Sequence, residues 1–118
     1  MVNGDGNAYG TYWYWGPHDN CTGPPVRAGT ASVKVPSYYT DFHEYAVEWT
    51  PQSLVYVLDG KPYKNYTEPS IVPVNRHFIM LNSAVGGPWP GPPDVDTIFP
   101  AYHYIDFVRV AQKPGGYH

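Results

Sequence analysis

The 118-residue chain has one cysteine, few charges and no long apolar run, and each shortage excludes something. A single Cys21 leaves no intrachain disulfide and no multi-cysteine zinc site. Only 14% of residues are charged, and 42% are hydrophobic, so the composition is not that of a disordered, self-repelling segment. Basic residues are scarce and the formal net charge is −3, which removes the electrostatic reason to expect nucleic acid or an anionic membrane as partner. No apolar stretch approaches the roughly 20 residues of a membrane-spanning helix. Met1 to Gly6 lacks the charged and apolar regions of a signal peptide. The length suits one ordinary domain, read as residues 1–118 with 113–118 as a tail.

Turn formers and aromatics are abundant instead. Proline and glycine occupy 26 positions, a density that opposes long helices and favours short extended runs joined by turns. Twenty residues are aromatic, 12 of them tyrosine, and aromatics prefer strands. About seven antiparallel strands are therefore expected, over Tyr9 to Trp15, Val26 to Val35, Phe42 to Trp49, Leu54 to Leu58, Lys61 to Tyr66, Arg76 to Val85 and Tyr102 to Ala111. In the third, Tyr45, Val47 and Trp49 share one face and Glu44, Ala46 and Glu48 the other, so the aromatic face is expected inside. Asp59-Gly60 predicts a two-residue hairpin turn, whose type I′ geometry requires positive φ at both positions. Five prolines stiffen the segment from Pro88 to Pro100. The fold class is all-β, a sandwich.

Residues for chemistry are sparse. Glycoside hydrolysis wants two carboxylates roughly 5–9.5 Å apart on a rigid support. Glu44 and Glu48 share a strand face but read as a solvated surface, and Asp94 with Asp96 reads as a turn. No Gly-x-Ser-x-Gly elbow is present, and nothing in the sequence selects one of the five histidines as partner for Ser83. His43, His77 and His103 lack metal-ligand spacing. Trp13 and Trp15 project to one side of their strand, opposite Tyr12 and Tyr14, and Trp89 sits in a Gly/Pro loop that buries little apolar surface of its own. Indoles placed this way serve either as core or as stacking platforms for the apolar C–H faces of sugars, with Asn82 as a directional polar partner.

Four ordered motifs carry a resemblance. Phe42 to Pro51 with Val57 to Lys61 resembles the middle of glycoside hydrolase family 16, the laminarinase and lichenase-like β-glucanases. Leu81 to Gly91 and Tyr104 to Val110 are similar to its later landmarks, and Tyr9 to Tyr12 with Trp15 to Pro17 to the strand after its catalytic one. The resemblance implies a concanavalin A-like β-jelly-roll sandwich, a concave glycan cleft, a β-glucan or related polysaccharide as partner, and secretion. It implies glycan contacts at Trp13, Trp15, Asn82 and Trp89. Asp106 matches an aspartate that in many members helps hold a structural calcium; no other cofactor is implied.

The catalytic pattern of that family, Glu-x-Asp-x-x-Glu, does not occur in this sequence, and Trp13 stands where the family usually has histidine. The catalytic residues are therefore unassigned. The chain is expected to be a C-terminal half of the domain, a partial jelly roll that closes as a homodimer or higher homo-oligomer. Two functions follow: a glucan-interacting protein without the usual glutamates, or a glycosidase or esterase using other residues.

Overall fold

The computed structural model describes residues 5–16 and 23–115, so Cys21 lies outside the described residues. Five strands form: β1 (Asn7–Tyr14), β2 (Val26–Lys34), β3 (Tyr45–Thr50), β4 (Ser53–Leu58) and β5 (Lys61–Tyr66). All pairings are antiparallel, β1 with β2 in one sheet and β3-β4-β5 in the other, and the described residues contain no helix. The all-β, two-sheet class read from the sequence is the observed one. Asp59 and Gly60 adopt φ of 48° and 75°, the positive values the hairpin between β4 and β5 requires.

Burial on β1 alternates strictly. Ala8, Gly10 and Tyr12 are buried while Asn7, Tyr9, Thr11 and Trp13 are not, the period of a strand with one covered face. The inward row meets the second sheet in two clusters. Tyr12 packs with Leu54, Tyr66 and Ile71, and Ala8 packs with Val35 and Leu58. Tyrosine hydroxyls fasten the layers together: Tyr56 donates to the Thr11 carbonyl at 3.0 Å and Tyr66 to the Gly29 carbonyl at 2.9 Å. Both bonds satisfy polar atoms that the interlayer space would otherwise leave costly.

Gly10 sits where the rings of Tyr56 and Tyr63 crowd β1. A Cβ there would lie 3.0 Å from the Tyr56 ring and 3.0 Å from the Tyr63 ring. Gly10→Ala is expected to force both rings outward at a cost of about 1–3 kcal/mol, read as a lower urea midpoint with unchanged slope.

The two later strands expected from the sequence are not formed. Residues 76–85 and 102–111 run without ladder partners and are exposed throughout. Phe78, Ile105 and Phe107, apolar as a strand core requires, are 80%, 49% and 58% exposed. Apolar content made these segments strand-like, but a strand exists only where a neighbour supplies the hydrogen bonds. The aromatic face of β3 departs from expectation for the same reason: Tyr45, Val47 and Trp49 are exposed, because among the described residues no second sheet covers that side. Trp49 still anchors locally, its Nε1–H donating to the Pro73 carbonyl at 2.8 Å.

The β4–β5 hairpin is clamped to the start of β3 by Asp59. Its carboxylate meets His43 Nδ1 at 2.8 Å and accepts from the Glu44 amide at 2.9 Å. The hydrogen bond to Asp59 raises the His43 pKa, and the same bond lowers that of Asp59. The raised histidine contributes fully below its unfolded pKa of about 6.5, and the contribution fades as pH rises through the folded value. The lowered aspartate contributes above its unfolded pKa of about 3.9 and fades as pH falls through its folded value. Stability from the clamp is therefore greatest between about pH 4 and 6.5. Asp59→Asn is expected to flatten the decline in thermal midpoint above that window, as followed by circular dichroism.

Candidate functional site

The outward row of β1 forms the floor of a cleft of about 430 Å³ lined by Thr11, Trp13, Arg27, Thr30 and Trp89. Strand pairing explains the set. Thr11 lies opposite Thr30, with their hydroxyls 3.0 Å apart. The register slips by one residue between Tyr12 and Trp13, and this irregularity brings Arg27 opposite Trp13. The floor thus offers one indole, a pair of hydroxyls and one guanidinium.

Trp89 forms the wall from a separate loop. Gly86, Gly87 and Gly91 hold positive φ there, and the Gly91 amide donates to the Gly87 carbonyl at 2.9 Å, closing a tight turn around the indole. The ring meets Tyr9 edge-on, with centroids 5.0 Å apart and planes at 73°. Tyr9 is fixed in turn by its hydroxyl, which donates to the Asp5 carboxylate, while Asp5 also accepts from the Asn7 amide at 2.9 Å. The Tyr9 bond is the main cause that holds the Asp5 carboxyl down to about pKa 2. A chain of contacts from Asp5 through Tyr9 therefore sets the position of Trp89, which is itself 64% exposed.

Of the residues singled out from the sequence, Trp13 and Trp89 come together in this cleft. Trp15, just beyond the end of β1, and the exposed Asn82 do not line it. Asp106 is exposed, and among the described residues no three of His, Cys, Asp and Glu gather to hold a metal ion. Glu44 and Glu48 are exposed as expected of a solvated face, Glu44 at 3.8 Å from Arg109. Asp94 closes a turn, accepting from the Thr97 hydroxyl at 2.9 Å and the Asp96 amide at 3.1 Å.

Arg27, Thr11 and Thr30 were not legible as site residues. Their signal lies in the β1–β2 register, which the intervening stretch is too long to fix by turn geometry. The structure also brings Ser83 Oγ to 3.1 Å from His103 Nδ1. Both are exposed, and among the described residues no carboxylate orients the histidine, so the pair lacks the third member and the enclosure that acyl transfer uses.

The model of a family described as Glycosyl hydrolases family 16 matches residues 6–99. The β-glucanase of Rhodothermus marinus is 39% identical over 90 residues, 67% of this chain and 32% of that protein. The clotting factor G alpha subunit of Tachypleus tridentatus is 38% identical over 77 residues, 61% of this chain and 11% of that protein. The chain thus spans about a third and about a tenth of the lengths of these two relatives. No solved structure matches it.

Proposed function

The chain belongs to glycosyl hydrolases family 16, and on that premise we propose that its cleft binds a β-glucan or related polysaccharide without cleaving it by the family's paired glutamates. The observation that carries this reading is the lining itself. Two indoles from different parts of the chain face one cleft, and among the described residues no carboxylate lines it. Indole faces stack on the C–H surfaces of pyranose rings, whereas hydrolysis needs an acid and a nucleophile or base beside the scissile bond. The sequence contains no Glu-x-Asp-x-x-Glu, and the exposed Glu44 and Glu48 stand outside the cleft. Glycosidases of this family need no cofactor. The test pairs affinity electrophoresis in laminarin and lichenan with a reducing-sugar assay on the same substrates. Retarded migration without product is the expected result; no retardation, or product release that a cleft substitution abolishes, overturns it.

A second reading concerns assembly, and the surface favours it. The chain exposes 9271 Å², against roughly 6,400 Å² for a compact monomer of its mass. Its radius of gyration is 16.3 Å, against about 13.5 Å for a compact domain of this length. The excess of roughly 2,900 Å² exceeds the ~800 Å² that each partner contributes to a standard interface. The exposed apolar side chains of β3 and of the unladdered segments 76–85 and 102–111 contribute to it. Unpaired extended backbone and apolar faces seek the same partner, so we place a second copy of this chain there. Sedimentation equilibrium at micromolar concentration is expected to show a dimer or larger assembly. A cooperatively folding monomer, or a species that associates only with an unrelated polypeptide, overturns that reading.

A further inference from the structure

We infer that the cleft prefers an anionic sugar, a ring bearing a carboxylate or sulfate, and that Arg27 reads the charge. The inference rests on the cleft as a glycan site and adds the chemical class of its ligand. Among the five lining residues Arg27 alone is charged. It is exposed, and among the described residues its guanidinium has neither an ion-pair partner nor a hydrogen-bond partner. Its planar guanidinium offers five donors in a fork that fits a carboxylate or sulfate with two parallel bonds. Neutral sugar hydroxyls both donate and accept, and are best matched by amides or carboxylates. Among the described residues the lining has none of these; its polar side-chain groups are a guanidinium, two indole N–H donors and two hydroxyls already 3.0 Å from each other.

Placement supports the assignment. The register slip at Tyr12/Trp13 puts Arg27 directly across from Trp13 instead of one position along. A ring stacked on that indole would therefore carry its substituents toward the guanidinium. Asp5, the acid nearest in the chain of contacts, is engaged by Tyr9 and Asn7 and does not line the cleft. The chain as a whole is anionic, at −3, and does not attract polyanions in general. Any preference for an anionic ligand must then be local and sensitive to one substitution.

The experiment is fluorescence titration of the whole chain with three oligosaccharides of equal length: a neutral β-glucan, an oligouronide and a sulfated oligosaccharide. At least one anionic ligand is expected to bind about tenfold more tightly than the neutral one at low salt. The difference should shrink between roughly 50 and 200 mM salt. Arg27→Gln is expected to abolish the preference, whatever it does to the affinity for the neutral ligand, with the far-ultraviolet spectrum unchanged, and Arg27→Lys to keep part of it. The uronate and sulfate arms distinguish the two sources of charge. Neutral binding equal to or tighter than both anions overturns the inference and leaves the glycan cleft standing. So does a preference that survives Arg27→Gln. Absence of binding to all three ligands overturns both.

Discussion

Truncation of Leu54 to alanine is expected to destabilise the fold by about 2–5 kcal/mol, the cost of deleting buried methyl groups and leaving a cavity. Leu54 is only 6% exposed and touches Tyr12, Tyr66 and Ile71, so its removal opens the larger of the two buried clusters on both sheets at once. That cost is a large share of the 5–15 kcal/mol by which ordinary domains are stable. Here the buried apolar set is small, while β3 and two long segments stand uncovered. Loss of the cooperative urea transition at 25 °C is the predicted readout. Val47→Ala supplies an informative contrast. Val47 is 54% exposed, so in an isolated chain its truncation should cost less than about 0.5 kcal/mol. In an assembly that covers β3 the same change should cost more and should depend on protein concentration.

Trp89→Ala is expected to weaken glycan binding about thirtyfold, roughly 2 kcal/mol for a central aromatic anchor. The wall of the cleft is one exposed indole, and removing it leaves only Trp13 to stack. Stability should change little, because Trp89 is largely solvent-facing. Tyr9→Phe separates position from contact. It keeps the ring that meets Trp89 edge-on but removes the hydroxyl held by Asp5. Binding should fall by less than for Trp89→Ala, and the Asp5 carboxyl should rise from about 2 toward the ordinary range of an aspartate. Titration followed by nuclear magnetic resonance reads the second effect. Unchanged binding in Trp89→Ala would place the ligand elsewhere.

The local features of this chain were legible because they are written in neighbouring residues. Asp59-Gly60 specifies its own turn, and the alternation along Tyr9 to Trp15 correctly separates Tyr12 from Trp13. Trp89 stood out because its Gly/Pro loop has no core to hide it in. What the sequence could not show depends on partners far along the chain. Arg27 enters the cleft through a register irregularity, and residues 76–85 carry strand-like composition without a strand's hydrogen bonds. Likewise, Tyr45, Val47 and Trp49 have the pattern of an inner face, yet all three are exposed. Periodicity reports which residues would share a face; it does not report whether that face is covered.

Strand β1 has cleft on one side and core on the other, alternating residue by residue. The two functions therefore cannot vary independently. A slip of one residue against β2 would turn Trp13 inward and Tyr12 outward, exchanging binding surface for packing surface along the whole strand. The coupling also runs the other way. A ligand held against Thr11, Trp13 and Arg27 bridges both strands of the two-stranded sheet and favours their native pairing. At a hundred times its dissociation constant such a ligand would add about 2.7 kcal/mol to stability. A melting curve recorded with and without oligosaccharide thus doubles as a gauge of occupancy, and the sugar acts as a splint across the two-stranded sheet.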